Sequence, residues 1–422
     1  MWILITVVLM FLGAPIACSL GASALFYYAF IGNMNMSAFP TTLYSAINSF
    51  TFLAIPFFIL AGNLMNACGV TEKLINLSRA MVGGLQGGLG HVSVIANMFF
   101  ATISGSAVAS CAAIGSVMIP SLKEEGYGKA EATAICVAGS CIGPMIPPSI
   151  PMIVYSITAG TSIAAMFLAG AVPGIILGLM LMLYCTYLAK KNNIKTSRKF
   201  SFSVLKKAFL DSLAALVMPI IILGGIYSGF FTPTEAATFA VFYAILIGLF
   251  VTKKLKLKQL PQILFDSAAA SSVLMLIVGM ATVLSRILTI LQIPVAIANA
   301  LTAMTSNKII LLLLLNLLLL LVGCVMDLGA AVVMFVPCLL PLARLIGMDL
   351  VQFGAMVTIN LIIGFFTPPV GVCLYVGTSV GKVTIEELSK VILPFVFIGI
   401  VLCLVVTFVP AVTLWLPHKM GY

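Results

Sequence analysis

Gly143-Pro-Met-Ile-Pro-Pro148 and Gly364-Phe-Phe-Thr-Pro-Pro369 are two copies of one pattern, 221 residues apart. Each interrupts an apolar run. The paired prolines remove two backbone donors and keep the residue before them out of α geometry. The same offset of 221 relates Pro40 to Pro261, Pro120 to Pro341, Gly126 to Gly347 and Pro173 to Pro394, without a gap. These are the residue types that set backbone geometry. The chain therefore divides into two repeats of one backbone plan, 1–190 and 208–411. A basic linker at 191–207 joins them, and a tail at 412–422 follows.

Composition names the solvent. Of 422 residues, 62% are hydrophobic types and 8% are charged, and the mean hydropathy is +1.24. Soluble domains carry roughly 25% charged residues. A chain this apolar cannot cover its own surface in water, which excludes a soluble enzyme and a disordered tail and points to a polytopic helical membrane protein. The opening Met1-Trp-Ile-Leu-Ile lacks the basic start of a signal peptide and reads as a retained membrane segment. The net charge of +10 sits at the ends of apolar runs, so it reads as membrane orientation, with no nucleic-acid partner. The 10 cysteines lie singly in apolar stretches and read as packing residues.

Charge also sets the relation between the repeats. Gly32-Asn-Met-Asn-Met36 carries no charge, whereas its equivalent begins the run Lys253-Lys-Leu-Lys-Leu-Lys258. Equivalent loops of opposite basicity belong on opposite sides of the bilayer. An inverted arrangement places 17 of the 21 Lys and Arg in the cytoplasm, leaving Arg286, Lys308, Arg344 and Lys419 at the outer side. Inverted repeats are characteristic of secondary transporters.

Within each repeat the pattern predicts an amphipathic arm (Thr41–Phe50 and Gln262–Ser271), then a spanning helix (52–68 and 272–291). Two short apolar runs follow around a polar break. They are 92–103 and 107–120 around Ser104-Gly105-Ser106, and 309–325 and 330–341 around Met326-Asp327-Leu328-Gly329. Runs this short read as re-entrant hairpins, since about 20 residues are needed to cross. The broken helix comes next, and a long closing helix (163–188 and 391–411) ends each repeat. Helices at 211–231 and 235–251 lie between the repeats. The first 31 residues form either one helix bent at Gly13-Ala-Pro15 or a short helix and a span.

Non-helical backbone in lipid costs several kcal/mol per unsatisfied group, so four breaks need a use. Freed carbonyls and the hydroxyls of Ser104 and Ser106 suit Na⁺. Half-helix N-termini suit an anion. Asp327 is the one acid at a break, and intramembrane acids are functional candidates, with a helix cap as the plainer role. Arg286 is either an interfacial anchor or a contact for a substrate carboxylate. Glu235 reads as a helix cap. The glycine-rich stretch 83–90 beside His91 lacks a phosphate-binding lysine, which leaves an ion gradient as the energy source.

Ala101-Thr-Ile-Ser-Gly-Ser-Ala-Val-Ala-Ser110, Gly143-Pro-Met-Ile-Pro-Pro-Ser149, Phe366-Thr-Pro-Pro-Val-Gly371 and Pro56-Phe-Phe-Ile-Leu-Ala-Gly62 resemble the large membrane subunit of the tripartite ATP-independent periplasmic transporters. The similarity spans essentially the whole chain and suggests a sialic-acid-type member, while dicarboxylate and other organic-acid members share the same motifs. It implies an elevator-type transporter, coupled to Na⁺ and fed with an organic acid by a periplasmic substrate-binding protein. It also implies a small four-helix membrane subunit, here expected as a separate chain, in the bacterial inner membrane. Carried over by position, one sodium site falls between Ser104, Ser106, Gly143 and Pro147. A second falls among Met326, Asp327, Gly329, Gly364, Thr367 and Pro368. Ser106, Ser149, Arg286 and Asp327 become substrate contacts. The tips differ, since Val325 and Asp327 stand where the first repeat has Ser104 and Ser106. A one-component Na⁺/carboxylate symporter, a passive channel and an intramembrane serine protease built on Ser104 are the competing functions. The protease would need a base near Ser104, and the chain has only His91 and His418.

Overall fold

A computed structural model of the chain describes residues 2–32, 34–194, 200–304 and 307–422. Of the positions read above, Met1, Asn33 and linker residues 195–199 lie outside the described residues. Every regular element described is helical. Eight helices among the described residues are long and apolar enough to cross a bilayer, so this is a multi-pass membrane protein.

The N-terminal segment is a short helix, α1 (Trp2–Phe11), and a second, α2 (Ile16–Phe26), which winds on as a π-helix to Ile31. The first repeat continues through α3 (Ala38–Ile47), a 3₁₀ turn at Phe50–Leu53, α4 (Ala54–Ala67) and α5 (Val70–Val82). Hairpin 1 is α6 (Gly88–Ser104) and α7 (Ala107–Glu124). The broken helix is α8 (Lys129–Ser140) and α9 (Ile150–Ala159), and α10 (Ile163–Lys191) closes the repeat. Then come α11 (Phe202–Tyr227) and α12 (Pro233–Leu246), which also ends in a π-helix, Ile247–Val251. The second repeat runs through α13 (Leu260–Ile290), α14 (Ile293–Met304), and hairpin 2, α15 (Lys308–Val325) with α16 (Leu328–Leu345). Its broken helix is α17 (Leu350–Gly364) and α18 (Val372–Gly381). The helices α19 (Ile385–Phe408) and α20 (Ala411–Lys419) end the chain.

The offset of 221 persists in the backbone. Helix α7 is capped by Ser106 and α16 by Asp327; α8 begins after Gly128 and α17 after Asp349. The peptide bonds Pro147-Pro148 and Pro368-Pro369 are both cis. Packing is reciprocal: α9 packs on α16 and α18 on α7, while α8 packs on α19 and α17 on α10. If α2, α4, α8–α9, α10 and α11 each cross the bilayer once, the chain makes five crossings between α2 and its counterpart α12. That number is odd, and a hairpin adds none or two. Equivalent helices therefore run in opposite directions, as the loop charges require.

Four expectations need correction. The second arm is not a separate element, because 262–271 and 272–291 form the single helix α13 of 31 residues. In the first repeat the helix is interrupted at Asn48 and Ser49, and Pro56 sits in the first turn of α4 where its missing N–H costs nothing. Their counterparts are Ala269, Ala270 and Ile277, which let the helix continue. The linker is shorter than 191–207, since α10 reaches Lys191 and α11 starts at Phe202, placing Lys206 and Lys207 on a helix. The hairpin arms are 17 and 18 residues in the first repeat and 18 and 18 in the second. Polar ends such as Lys123, Glu124 and Arg344 extend them past the apolar runs. The tail at 412–422 is mostly the helix α20.

The helices form two groups, joined where α16 packs on α13 and α6 on α4. One contains α2, α3, α4, α11, α12 and α13. The other contains both hairpins, both broken helices and the closing helices. Buried polar side chains fasten the second body: Asn360 donates to Asn316 Oδ1 at 2.8 Å and Thr407 to the same oxygen at 3.1 Å, joining α17, α15 and α19. Tyr155 on α9 donates to the Leu350 carbonyl of α17 at 2.6 Å, tying one repeat to the other.

Candidate functional site

The two hairpin tips meet at the seam between the bodies. Tip 1 turns at Gly105, whose φ of +59° is left-handed, and a Cβ there would lie 2.7 Å from the Pro148 carbonyl oxygen. Glycine is required on both counts. Ser106 then adopts extended geometry and its hydroxyl accepts from the Ala109 N–H at 3.4 Å. Tip 2 turns through extended Met326 and Asp327, and the Asp327 carboxylate accepts from the Gly329 N–H at 2.9 Å. Both residues are N-caps, so each tip presents a helix N-terminus with its oxygen in front.

A cavity of about 100 Å³ lies between the tips. Ser106 and Ala107 line it from the start of α7, Ile150 and Pro151 from the start of α9, and Asp327, Leu328 and Gly329 from the start of α16. Ile55 of α4 and Leu274 and Val278 of α13 form the wall on the other body. Three helix N-termini thus converge on one small space; the Asp327 carboxylate already accepts at the start of α16, which leaves the starts of α7 and α9 to favour an anion. A second cavity, of about 210 Å³, shares Ser106, Ile150 and Leu274 with it and adds Ser104, Gly62, Asn63 and Asn66. Asn63 is held across the first body by donating to Ser267 Oγ at 2.8 Å.

Each tip is seated on the broken helix of its own repeat. A Cβ on Gly143 would lie 3.4 Å from the Ser106 carbonyl oxygen. A Cβ on Gly364 would lie 2.4 Å from the Gly323 carbonyl carbon, inside the backbone of α15, so glycine is required there. The Gly371 N–H donates to the Cys324 carbonyl at 3.0 Å, a second clasp between hairpin 2 and its break.

Of the residues singled out from sequence, Ser106, Asp327 and Gly329 share the first cavity, and Ser104 joins Ser106 in the second. Gly143, Pro147, Gly364, Thr367 and Pro368, in the breaks, and Met326, in the turn of tip 2, line neither cavity. Thr367 Oγ1 donates to the Ile363 carbonyl at 2.6 Å. Ser149 is buried and its hydroxyl donates to the Pro144 carbonyl and accepts from the Met152 N–H, so it is spent on capping α9. Arg286 is not brought to the site: its guanidinium donates to Thr42 Oγ1 at 2.8 Å, bracing α13 against α3. His91 contacts Thr186 and the Gln86 carbonyl. It lies 13 residues before Ser104 on the same helix, about 20 Å along its axis, and cannot serve it as a base.

Sequence reasoning missed Gly105, Asn63 and Asn66. Gly105 stood between the two flagged serines, and the two asparagines were the only carboxamides in the run 52–68. Pro144 and Phe365, which also line the first cavity, carried no signal beyond their place in the breaks.

The profile of the family described as "Tripartite ATP-independent periplasmic transporter, DctM component" matches residues 3–412. The chain belongs to this DctM family. It is 42% identical over 404 residues to the isethionate TRAP transporter permease protein DctMQ of Oleidesulfovibrio alaskensis, covering 96% of this chain and 64% of that relative's length. It is 39% identical over 420 residues to the sialic acid TRAP transporter large permease protein SiaM of Vibrio cholerae, covering 98% and 97% of the two chains. The fold resembles that of the YdaH transporter of Alcanivorax borkumensis, with a TM-score of 0.64 at 15% identity over 92% of this chain and 90% of that one. Members of the DctM family are transporter permeases of the bacterial inner membrane, so the chain is not an enzyme.

Proposed function

We propose that this DctM-type permease takes up a small organic acid by symport with Na⁺. It receives the substrate from a periplasmic binding protein and works with a small four-helix membrane subunit. The convergence of three helix N-termini on one cavity between two packed bodies carries this reading. The N–H groups there attract a carboxylate or sulfonate, and the two relatives named for isethionate and sialic acid share an anionic group. Sialic acid or a dicarboxylate fits the same description.

Sodium supplies the charge that the anion lacks a partner for. Carbonyls and hydroxyls at Ser104, Ser106, Gly143 and Pro147 form one neutral oxygen set. Met326, Asp327, Gly329, Gly364, Thr367 and Pro368 form another, with a carboxylate added. Asp327 would repel an anionic substrate directly, so it serves the cation. An ion seated under each tip fixes the helix N-termini in place, and substrate affinity then rises with Na⁺ by linkage. The body holding both hairpins moves as a unit against α4 and α13 in an elevator cycle, since the hydrogen bond from Tyr155 to the Leu350 carbonyl joins the two repeats and Asn360–Asn316 fastens the second one internally.

The test is uptake into proteoliposomes holding the chain and its small subunit, with binding protein added outside, across a Na⁺ series with and without a membrane potential. Sodium-dependent uptake that requires the binding protein is expected. Uptake indifferent to Na⁺ and driven by protons or ATP overturns the coupling. Sodium-dependent uptake that ignores the binding protein would instead make the chain a one-component symporter.

A further inference from the structure

A third cavity, of about 540 Å³, opens far from the hairpin tips, between α5 and the start of α11. Lys73, Arg79 and Lys207 line it, and Asp211 is the only acid that does. Phe200 and Val204 supply apolar walls. Lys73 and Lys207 form no ion pair among the described residues. Ser212 of α11 donates to the Lys73 carbonyl at 2.9 Å, so the two helices that form the cavity are fastened to each other.

The surroundings are those of a membrane surface. Helix α5 buries Leu74, Ile75 and Leu77 on one face and carries charge on the other. Helix α11 begins a span, and Phe200, Phe202, Val204 and Leu210 beside the cavity are each 57% exposed or more. Exposed apolar side chains at the start of a span contact acyl chains. The loop charges place this end of α11 at the cytoplasmic leaflet, whose anionic lipids are drawn to such basic pockets between membrane helices.

We propose that this cavity binds the phosphate headgroup of an anionic phospholipid from the cytoplasmic leaflet. Lys73 and Lys207 pair with the phosphodiester, and the acyl chains lie along Phe200 and Val204. Helix α5 is the connection from α4 in one body to α6 in the other. A lipid bridging α5 and α11 therefore pins that connection to the first body.

Native mass spectrometry of the full chain with its small subunit tests the site. The probes are phosphatidylglycerol and phosphatidylcholine of identical acyl chains. Retention of phosphatidylglycerol over phosphatidylcholine is expected, falling roughly ten-fold in Lys73→Gln/Lys207→Gln. It should be kept in Lys73→Arg/Lys207→Arg and in the charge-matched control Lys256→Gln/Lys258→Gln. Equal loss in the control, or equal retention of the two lipids, overturns the proposal. Release of the lipid by millimolar inorganic phosphate also overturns it, by marking a soluble-anion site. If the double variant does not fold, Lys207→Gln alone decides, because Lys207 is exposed and its loss leaves the packed face of α5 intact.

Discussion

The two hairpin tips share a backbone plan and differ in almost every detail of chemistry. Tip 1 turns on a left-handed glycine and offers a hydroxyl 3.4 Å from the N–H it caps. Tip 2 turns through extended residues and offers a carboxylate at 2.9 Å. The arms of hairpin 1 pack on one another. Those of hairpin 2 barely touch: α15 lies on α17, and α16 on α13 and α9. The two repeats keep one frame while the side chains at their tips differ. A neutral tip can release a cation readily, whereas a carboxylate tip must keep its charge compensated in a low-dielectric seam. Under the proposed Na⁺ coupling, the second site is therefore the one whose occupancy the cycle cannot skip.

The largest test of that contrast is Asp327→Asn. Asparagine caps a helix as well as aspartate, so the fold is kept and only the charge is lost. Sodium-dependent uptake should fall at least ten-fold, and the Na⁺ concentration for half-maximal uptake should rise. Ser106→Ala, measured in the same proteoliposomes, should change that concentration only a few-fold. Equal effects would mean that the tips are equivalent and that Asp327 is only a cap.

The breaks should differ next. Gly364→Val forces a side chain into the backbone of α15, where a Cβ would sit 2.4 Å from a carbonyl carbon. Overpacking of this kind costs about 1–3 kcal/mol or more, and thermal unfolding of the purified chain should show it. Gly143→Val meets nothing nearer than 3.0 Å and should lose less stability. Both should raise the Na⁺ requirement without changing binding of the periplasmic protein, whose contact lies at the membrane surface.

Gly105→Ala comes third. It places a Cβ at a left-handed position 2.7 Å from a carbonyl oxygen, and tip 2 has no residue with that constraint. A loss of about 1–3 kcal/mol in unfolding free energy is expected, whereas Met326→Ala at the corresponding position should introduce no backbone strain. The smallest effect belongs to Arg286→Gln, which removes a hydrogen bond to Thr42 and should leave the substrate concentration for half-maximal uptake unchanged. A large rise would return Arg286 to the substrate site.

Much of this frame was legible because Gly and Pro act locally. Their common offset exposed the repeats, and the loop charges exposed the inversion. Long-range consequences were harder to read. The direction of Arg286 depends on α3 lying beside α13, and the spending of the Ser149 hydroxyl depends on the Pro144 carbonyl turning toward it. Helix α5 was legible but missed: Val70, Leu74, Ile75 and Leu77 recur at helical spacing on one face while Glu72, Lys73 and Arg79 fall off it, an amphipathic pattern hidden by the search for long apolar spans. The fusion of the second arm with its span could have been seen, since Ala269 and Ala270 replace both interruptions present in the first repeat.

That fusion gives the molecule two unlike flanks. Helix α13 is a rod of 31 residues, about 46 Å long against a hydrocarbon core of about 30 Å. Its counterpart is jointed at Asn48–Leu53, where α3 ends and the 3₁₀ turn begins. A bilayer that thickens or thins must be met by tilt on the rigid flank and by bending at the joint on the other. Lipid strain is thereby concentrated on a few residues of the first arm, and the thickness of the surrounding membrane acts as a lever on one side of the permease alone.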